Sequence, residues 1–151
     1  MTPGIQTVMR ALERTWDEHT GALWDRRDVP AALAGLTDDI EVRHLPTGVG
    51  GVGLAEVGAC YATELVPHLP ETLRRSRVSR TVDQFRLVQE SVWSLRHDRP
   101  MPWLAPGRAA TGADVALLVV EIARFRQGRI AGRRLLWDQA ELLAQLDRAT
   151  R

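Results

Sequence analysis

The chain has a single cysteine, Cys60, and no lysine. One cysteine excludes an internal disulfide and any multi-cysteine zinc site. Without lysine, all 20 basic residues are arginine. They are scattered along the sequence, which reads as compositional bias and not as a binding surface. A formal net charge of +1 gives no electrostatic case for a nucleic-acid or membrane partner. No apolar run approaches the ~18–20 residues that cross a bilayer. No basic-then-apolar leader opens the sequence, so a cytoplasmic location is expected. Paired histidine spacings such as H-x-x-x-H are missing, and no metal site is expected.

What is present suits one globular domain over residues 1–151. Hydrophobic residues make up 44% and charged residues 26%, an ordinary balance with enough apolar mass for a core. Ile5, Val8, Leu12, Trp16 and His19 recur at helical spacing, which predicts a helix over 5–23. Asp28 precedes Pro30 as a capping residue would, predicting a second helix to Leu36. Thr37-Asp38-Asp39 reads as a turn. Ile40, Val42 and His44 then alternate with polar residues as in a half-buried strand. The glycine-rich stretch 45–53 lacks the Gly-Lys-Ser/Thr ending of a phosphate loop, so a flexible rim loop is expected. Leu54, Val57, Tyr61 and Leu65 mark a third helix, ended by Pro67-His68-Leu69-Pro70.

Strands follow, over Val78–Val88 and Glu90–Asp98. Pro100–Gly107 is a proline-stiffened loop whose Met101, Trp103 and Leu104 are expected to fold over something apolar. From Asp114 the chain reads as a long strand, a Gln127-Gly128 turn, a returning strand Ile130–Trp137 and a closing helix. Alternation puts Val115, Leu117, Val119, Glu121, Ala123 and Phe125 on one face. On the return arm, Gly132, Arg134, Leu136 and Asp138 share one side, and Ala131, Arg133, Leu135 and Trp137 the other. The order of elements predicts an α+β domain with an antiparallel sheet wrapped on helices.

Arg124-Phe125-Arg126-Gln127-Gly128-Arg129-Ile130, then Trp137-Asp138-Gln139-Ala140 and the Leu-rich 142–146, resembles the NTF2-like superfamily, and within it the SnoaL-like polyketide cyclase group. The resemblance implies a cone of helices and curved mixed or antiparallel sheet around one pocket, within a homodimer formed by outer sheet faces. It also implies acid/base chemistry without a cofactor on a hydrophobic small molecule, in secondary metabolism, by a cyclase, isomerase or lyase. In the cyclases the aspartate at the end of the last strand is the acid/base, and Asp138 stands there. Relatives also include epoxide hydrolases and non-catalytic binders, so an epoxide or ester hydrolase and a passive ligand-binding or dimerisation module stay open.

The expected site follows from these readings. Asp138 is the candidate acid/base. It is equally suited to cap the last helix, with Glu141 completing a capping box. His44, at a strand end, and His97, beside Asp98, are candidates for stabilising developing negative charge. Trp103, Tyr61, Trp93 and Leu136 are candidates for an apolar wall, with Arg134 reaching a substrate oxygen and His68 on the rim. Cys60 reads as a small core residue.

Overall fold

The computed structural model describes residues 2–151. Six strands form one curved, unclosed sheet: β1 Leu36–His44, β2 Gly50–Val52, β3 Arg74–Val82, β4 Arg86–Arg96, β5 Asp114–Arg126 and β6 Arg129–Leu136. Their order across the sheet is β2-β1-β6-β5-β4-β3. The β1/β6 pair is parallel and the other four are antiparallel. Helices α1 Ile5–Thr20 and α2 Val29–Leu33 precede β1, α3 Leu54–Cys60 lies between β2 and β3, and α4 Gln139–Ala149 follows β6. The expected α+β class holds.

The longest strand shows why the sheet has two unlike faces. Along β5 burial alternates without interruption from Val115 to Phe125, and Glu121 lies on the buried side with the aliphatic residues. The return through Gln127 (φ 52°) and Gly128 (φ 76°) places two consecutive residues in the left-handed region. That is the primed hairpin geometry that matches strand twist. On β6 the buried residues are Ile130, Ala131, Arg133 and Leu135, while Arg134 is exposed. The helices cover the concave face, bringing Leu12, Trp16 and His19 of α1 against it.

Two helices change pitch where they reach the interior. α1 continues into a π-helical turn, Gly21–Asp25, and α3 into another, Tyr61–Leu65. Such turns admit one extra residue and re-aim the side chains that follow. Here they carry the buried Trp24 and Tyr61.

Several expected boundaries shift. β1 begins at Leu36, not Ile40, because Thr37–Asp39 extend the strand across a register break in its pairing with β6. The strands expected over Val78–Val88 and Glu90–Asp98 are instead Arg74–Val82 and Arg86–Arg96, with the turn at 83–85. The Asp83 carboxylate there accepts the Phe85 and Arg86 amides, both at 2.7 Å. The glycine-rich segment is partly ordered as β2, paired with β1. Gly50 is required there, since a Cβ at that position would lie 1.9 Å from the Val42 carbonyl oxygen. The proline loop does fold inward: Met101 and Trp103 are sealed from solvent and Leu104 nearly so.

Candidate functional site

The inner face of the hairpin brings two opposite charges into the core. Glu121 pairs in register with Leu135, and Ala123 with Arg133, so Glu121 and Arg133 are diagonal neighbours on one face. The Arg133 Nη2 lies 3.2 Å from Glu121 Oε2, with side chains 0% and 1% exposed. The other arm, Nη1, donates to the Tyr61 hydroxyl at 3.3 Å. The guanidinium also lies over two indoles, 5.9 Å from the Trp16 ring centre and 5.3 Å from that of Trp24. Burial works against its charge, but Tyr61 and Glu121 outweigh that and hold its pKa above the ordinary value. Burial, in turn, pushes the Tyr61 phenol up.

Two histidines complete the enclosure. His19 Nδ1 lies 2.8 Å from the Ala32 carbonyl. Burial, then the Arg133 charge, lowers the pKa of His19 to about 3. A neutral ring facing a carbonyl through Nδ1 carries its proton there, which leaves Nε2 as a bare acceptor. His44 is likewise lowered to about 3, by burial first and Arg133 second. Its ring stacks on Trp24 at 6.3 Å and meets Trp137 edge-on at 6.1 Å. Trp24 touches Trp93 at 4.7 Å and Trp103 at 5.7 Å, and Trp103 meets Trp137 at 6.5 Å. All five tryptophans are therefore linked to one interior.

That interior is rich in polar atoms without a partner inside the protein. They include the indole nitrogens of Trp16, Trp24 and Trp93, His19 Nε2, His44 Nδ1, Glu121 Oε1 and Arg133 Nε. A buried donor or acceptor left unmade costs roughly 1–3 kcal/mol. Seven of them gather in this one interior.

A polar seam leads from this enclosure to the surface. Gln89 lies opposite Glu121 on the neighbouring strand and opposite Arg80 on the next. Arg80 donates to Gln89 Oε1 at 2.6 and 2.9 Å and binds Asp17 at 2.6 Å and Glu13 at 3.2 Å. Above the seam lies a cleft of ≈ 280 Å³ walled by Asp17, Thr20, Asp25, Arg75, Gln89 and Ser91. Gln89, in its wall, is the register partner of Glu121.

The expected residues divide between these places. His44, Tyr61, Trp93 and Trp103 are buried together around Arg133 and Trp24. His97 is buried at the end of β4, where its Nδ1 accepts the Thr111 amide at 3.2 Å. His68 sits half-buried on the rim, and its carbonyl accepts the Trp103 indole N–H at 3.3 Å. Arg134 and Leu136 lie on the outer side of β6, exposed and half-buried, because side chains alternate and Arg133 takes the inner position.

Asp138 does not line the interior. It is exposed, and its carboxylate accepts the Glu141 amide at 3.0 Å, capping α4. The Glu141 carboxylate turns to Gln145 and Arg148 instead of completing a capping box. Glu121, Arg133, His19, Trp16 and Trp24 were not among the expected site residues. The signal for Glu121 was its lone charge on an otherwise apolar strand face.

The architecture is the NTF2-like fold, as the resemblance implied. An NTF2-like protein of unknown function from Burkholderia pseudomallei shares 25% identity over 90% of this chain and 97% of its own, with a TM-score of 0.69. A putative polyketide cyclase from Acidithiobacillus ferrooxidans is similar at a TM-score of 0.74, with 18% identity over 92% of this chain and 96% of that one. An LEH-like epoxide hydrolase from M. tuberculosis is similar at a TM-score of 0.65, with 15% identity over 93% of this chain and 92% of that one. No family model matches the sequence, and no curated protein does.

Proposed function

We propose that this chain is an acid/base enzyme, working without a cofactor, on a hydrophobic planar substrate of polyketide type held inside the cone. The observation that carries the reading is the sealed Glu121–Arg133–Tyr61 network, bordered by indole and imidazole nitrogens that lack partners. Arg133 Nη2 holds Glu121 Oε2 at 3.2 Å, and Glu121 Oε1, which has no partner inside the protein, is the atom to receive a proton. A methylene between two carbonyls has an acidic C–H bond. Its proton passes to Oε1, the C–H electron pair moves into the enolate, and Tyr61 O–H and the Arg133 guanidinium stabilise the enolate oxygen. Protonation at another position, or attack on an internal carbonyl, then gives isomerisation or ring closure. The indoles supply a flat apolar wall. Likeness in fold to a putative polyketide cyclase and to an epoxide hydrolase supports chemistry on small molecules of this kind.

A second reading is a passive ligand binder, favoured by the ion pair that Arg133 and Glu121 already make. The two separate in one experiment. The probe is a hydroxylated naphthoquinone bearing a 1,3-dicarbonyl side chain. Quenching of the tryptophan fluorescence reports binding, and NMR in heavy water reports exchange of the methylene protons. Catalysis gives quenching and accelerated exchange, with Glu121→Gln keeping the first and losing the second. Quenching without exchange in the unmodified protein leaves the binder, and no quenching removes both readings.

A further inference from the structure

The outer face of the sheet carries a hollow of ≈ 390 Å³ whose rim is formed by Arg43, Arg86, Arg124 and Arg134, with Glu41 as its one carboxylate. Strand register explains the gathering. Arg43 of β1 pairs with Arg134 of β6, and Arg86 of β4 pairs with Arg124 of β5. Like charges directly opposite one another repel and weaken a sheet, yet two such pairs stand side by side here. Some arginines elsewhere in the chain, among them Arg26, Arg75, Arg80, Arg96, Arg108 and Arg126, form ion pairs with carboxylates. Among the described residues, no carboxylate lies within ion-pair distance of the four that ring the hollow. Arg43 and Arg124 have only the Gly48 and Ala131 carbonyls, at 3.3 and 3.4 Å.

The floor is equally specific. Gly132 sits between Glu41 on one neighbouring strand and Arg124 on the other. A Cβ at this position would lie 3.1 Å from Arg124 Nη2. The missing side chain makes the hollow and lets the Arg124 guanidinium lie flat across it. Arginines that appear scattered in the sequence are thus collected by strand pairing into one cationic basin.

We infer that this basin is a binding site for a small molecule carrying two linked phosphate groups. A planar guanidinium matches a phosphate oxygen pair bidentately. The two pairs meet at Arg134 and Arg124, diagonal neighbours on the adjacent strands β6 and β5, and a diphosphate placed there is gripped by both while offsetting the repulsion within each pair. The site lies on the opposite face of the sheet from the proposed acid/base centre and is independent of it.

The test is calorimetric titration of inorganic pyrophosphate into the whole protein at low ionic strength. Arg124→Ala, Arg134→Ala and Arg10→Ala are compared with the unmodified chain, the last removing an exposed arginine of α1 far from the basin. The expected result is saturable binding that weakens on the order of tenfold in Arg124→Ala and in Arg134→Ala, and is unchanged in Arg10→Ala. Orthophosphate binds more weakly, and pyrophosphate at a fixed concentration raises the melting temperature of the unmodified protein more than that of Arg124→Ala. Absence of binding overturns the proposal, as when a second copy covers this face. So does equal weakening by all three substitutions, which marks a diffuse charge effect, or binding that ignores Arg124 and Arg134. Melting curves of the variants without ligand establish that each is folded.

Discussion

Arg133 and Glu121 face each other diagonally across the β5–β6 hairpin at 3.2 Å, both shut off from water. Such a pair is held by geometry more than by net energy. Removing two charges from water costs several kcal/mol each, and their attraction offsets this only when the remaining hydrogen bonds are also made.

Breaking the pair from one side should therefore be worse than removing it whole. Arg133→Met alone leaves a buried carboxylate without its cation and is expected to lower stability by about 3–5 kcal/mol. The double variant Arg133→Met/Glu121→Leu should lose less than the sum of the single variants. Urea denaturation of the four proteins in a double-mutant cycle measures the difference.

Acid should weaken the fold well above the carboxylate range. His19 and His44 have folded pKa values of about 3, against about 6.5 when unfolded. Between those limits the unfolded chain binds protons that the folded chain refuses, so stability rises with pH and falls as pH drops below about 6.5. Each histidine contributes up to about a tenfold change in the unfolding constant per pH unit. The window from about pH 6.5 to 4.5 isolates them from the carboxylates, whose unfolded values lie near 4. Denaturation midpoints over that window should fall steeply for the unmodified protein and less steeply for His44→Gln. A flat profile would show that the two rings are not buried neutral.

Asp138 is expected to behave as a cap. Asp138→Ala should cost about 1 kcal/mol, and Asp138→Asn only a few tenths, because asparagine also accepts the Glu141 amide. Neither should alter methylene exchange or probe quenching. Loss of exchange in Asp138→Asn with intact stability would return the catalytic role to this residue.

The β5–β6 turn has room for improvement. Gln127 holds φ at 52°, a region that asparagine enters more readily than glutamine. Gln127→Asn should stabilise the protein by up to about 1 kcal/mol, read as a higher urea midpoint with an unchanged slope.

Much of the architecture was legible because it rests on local periodicity. The alternation from Val115 to Phe125, the Gln127-Gly128 reversal and the 54/57/61/65 stripe each declare an element without reference to distant residues. The site was less legible because strand alternation defines two faces and not which one the helices will cover. Asp138 at the strand end drew attention to the side of Arg134, whereas α1 and α3 close over the side of Arg133. Glu121 was visible as a charge among aliphatic neighbours, but its partner lies across a turn and Tyr61 belongs to another helix. The π-helical turns that aim Trp24 and Tyr61 leave no clear mark in the residue pattern.

The position of β3 at the end of the strand order has a consequence for solubility. A nine-residue border strand with unpaired amides is a template on which another molecule can lengthen the sheet. Arg74 and Arg77, exposed and without a carboxylate partner among the described residues, stand on this border, so a second copy arriving edge to edge meets its own charge. The same residues that make the strand polar guard against stacking into fibres.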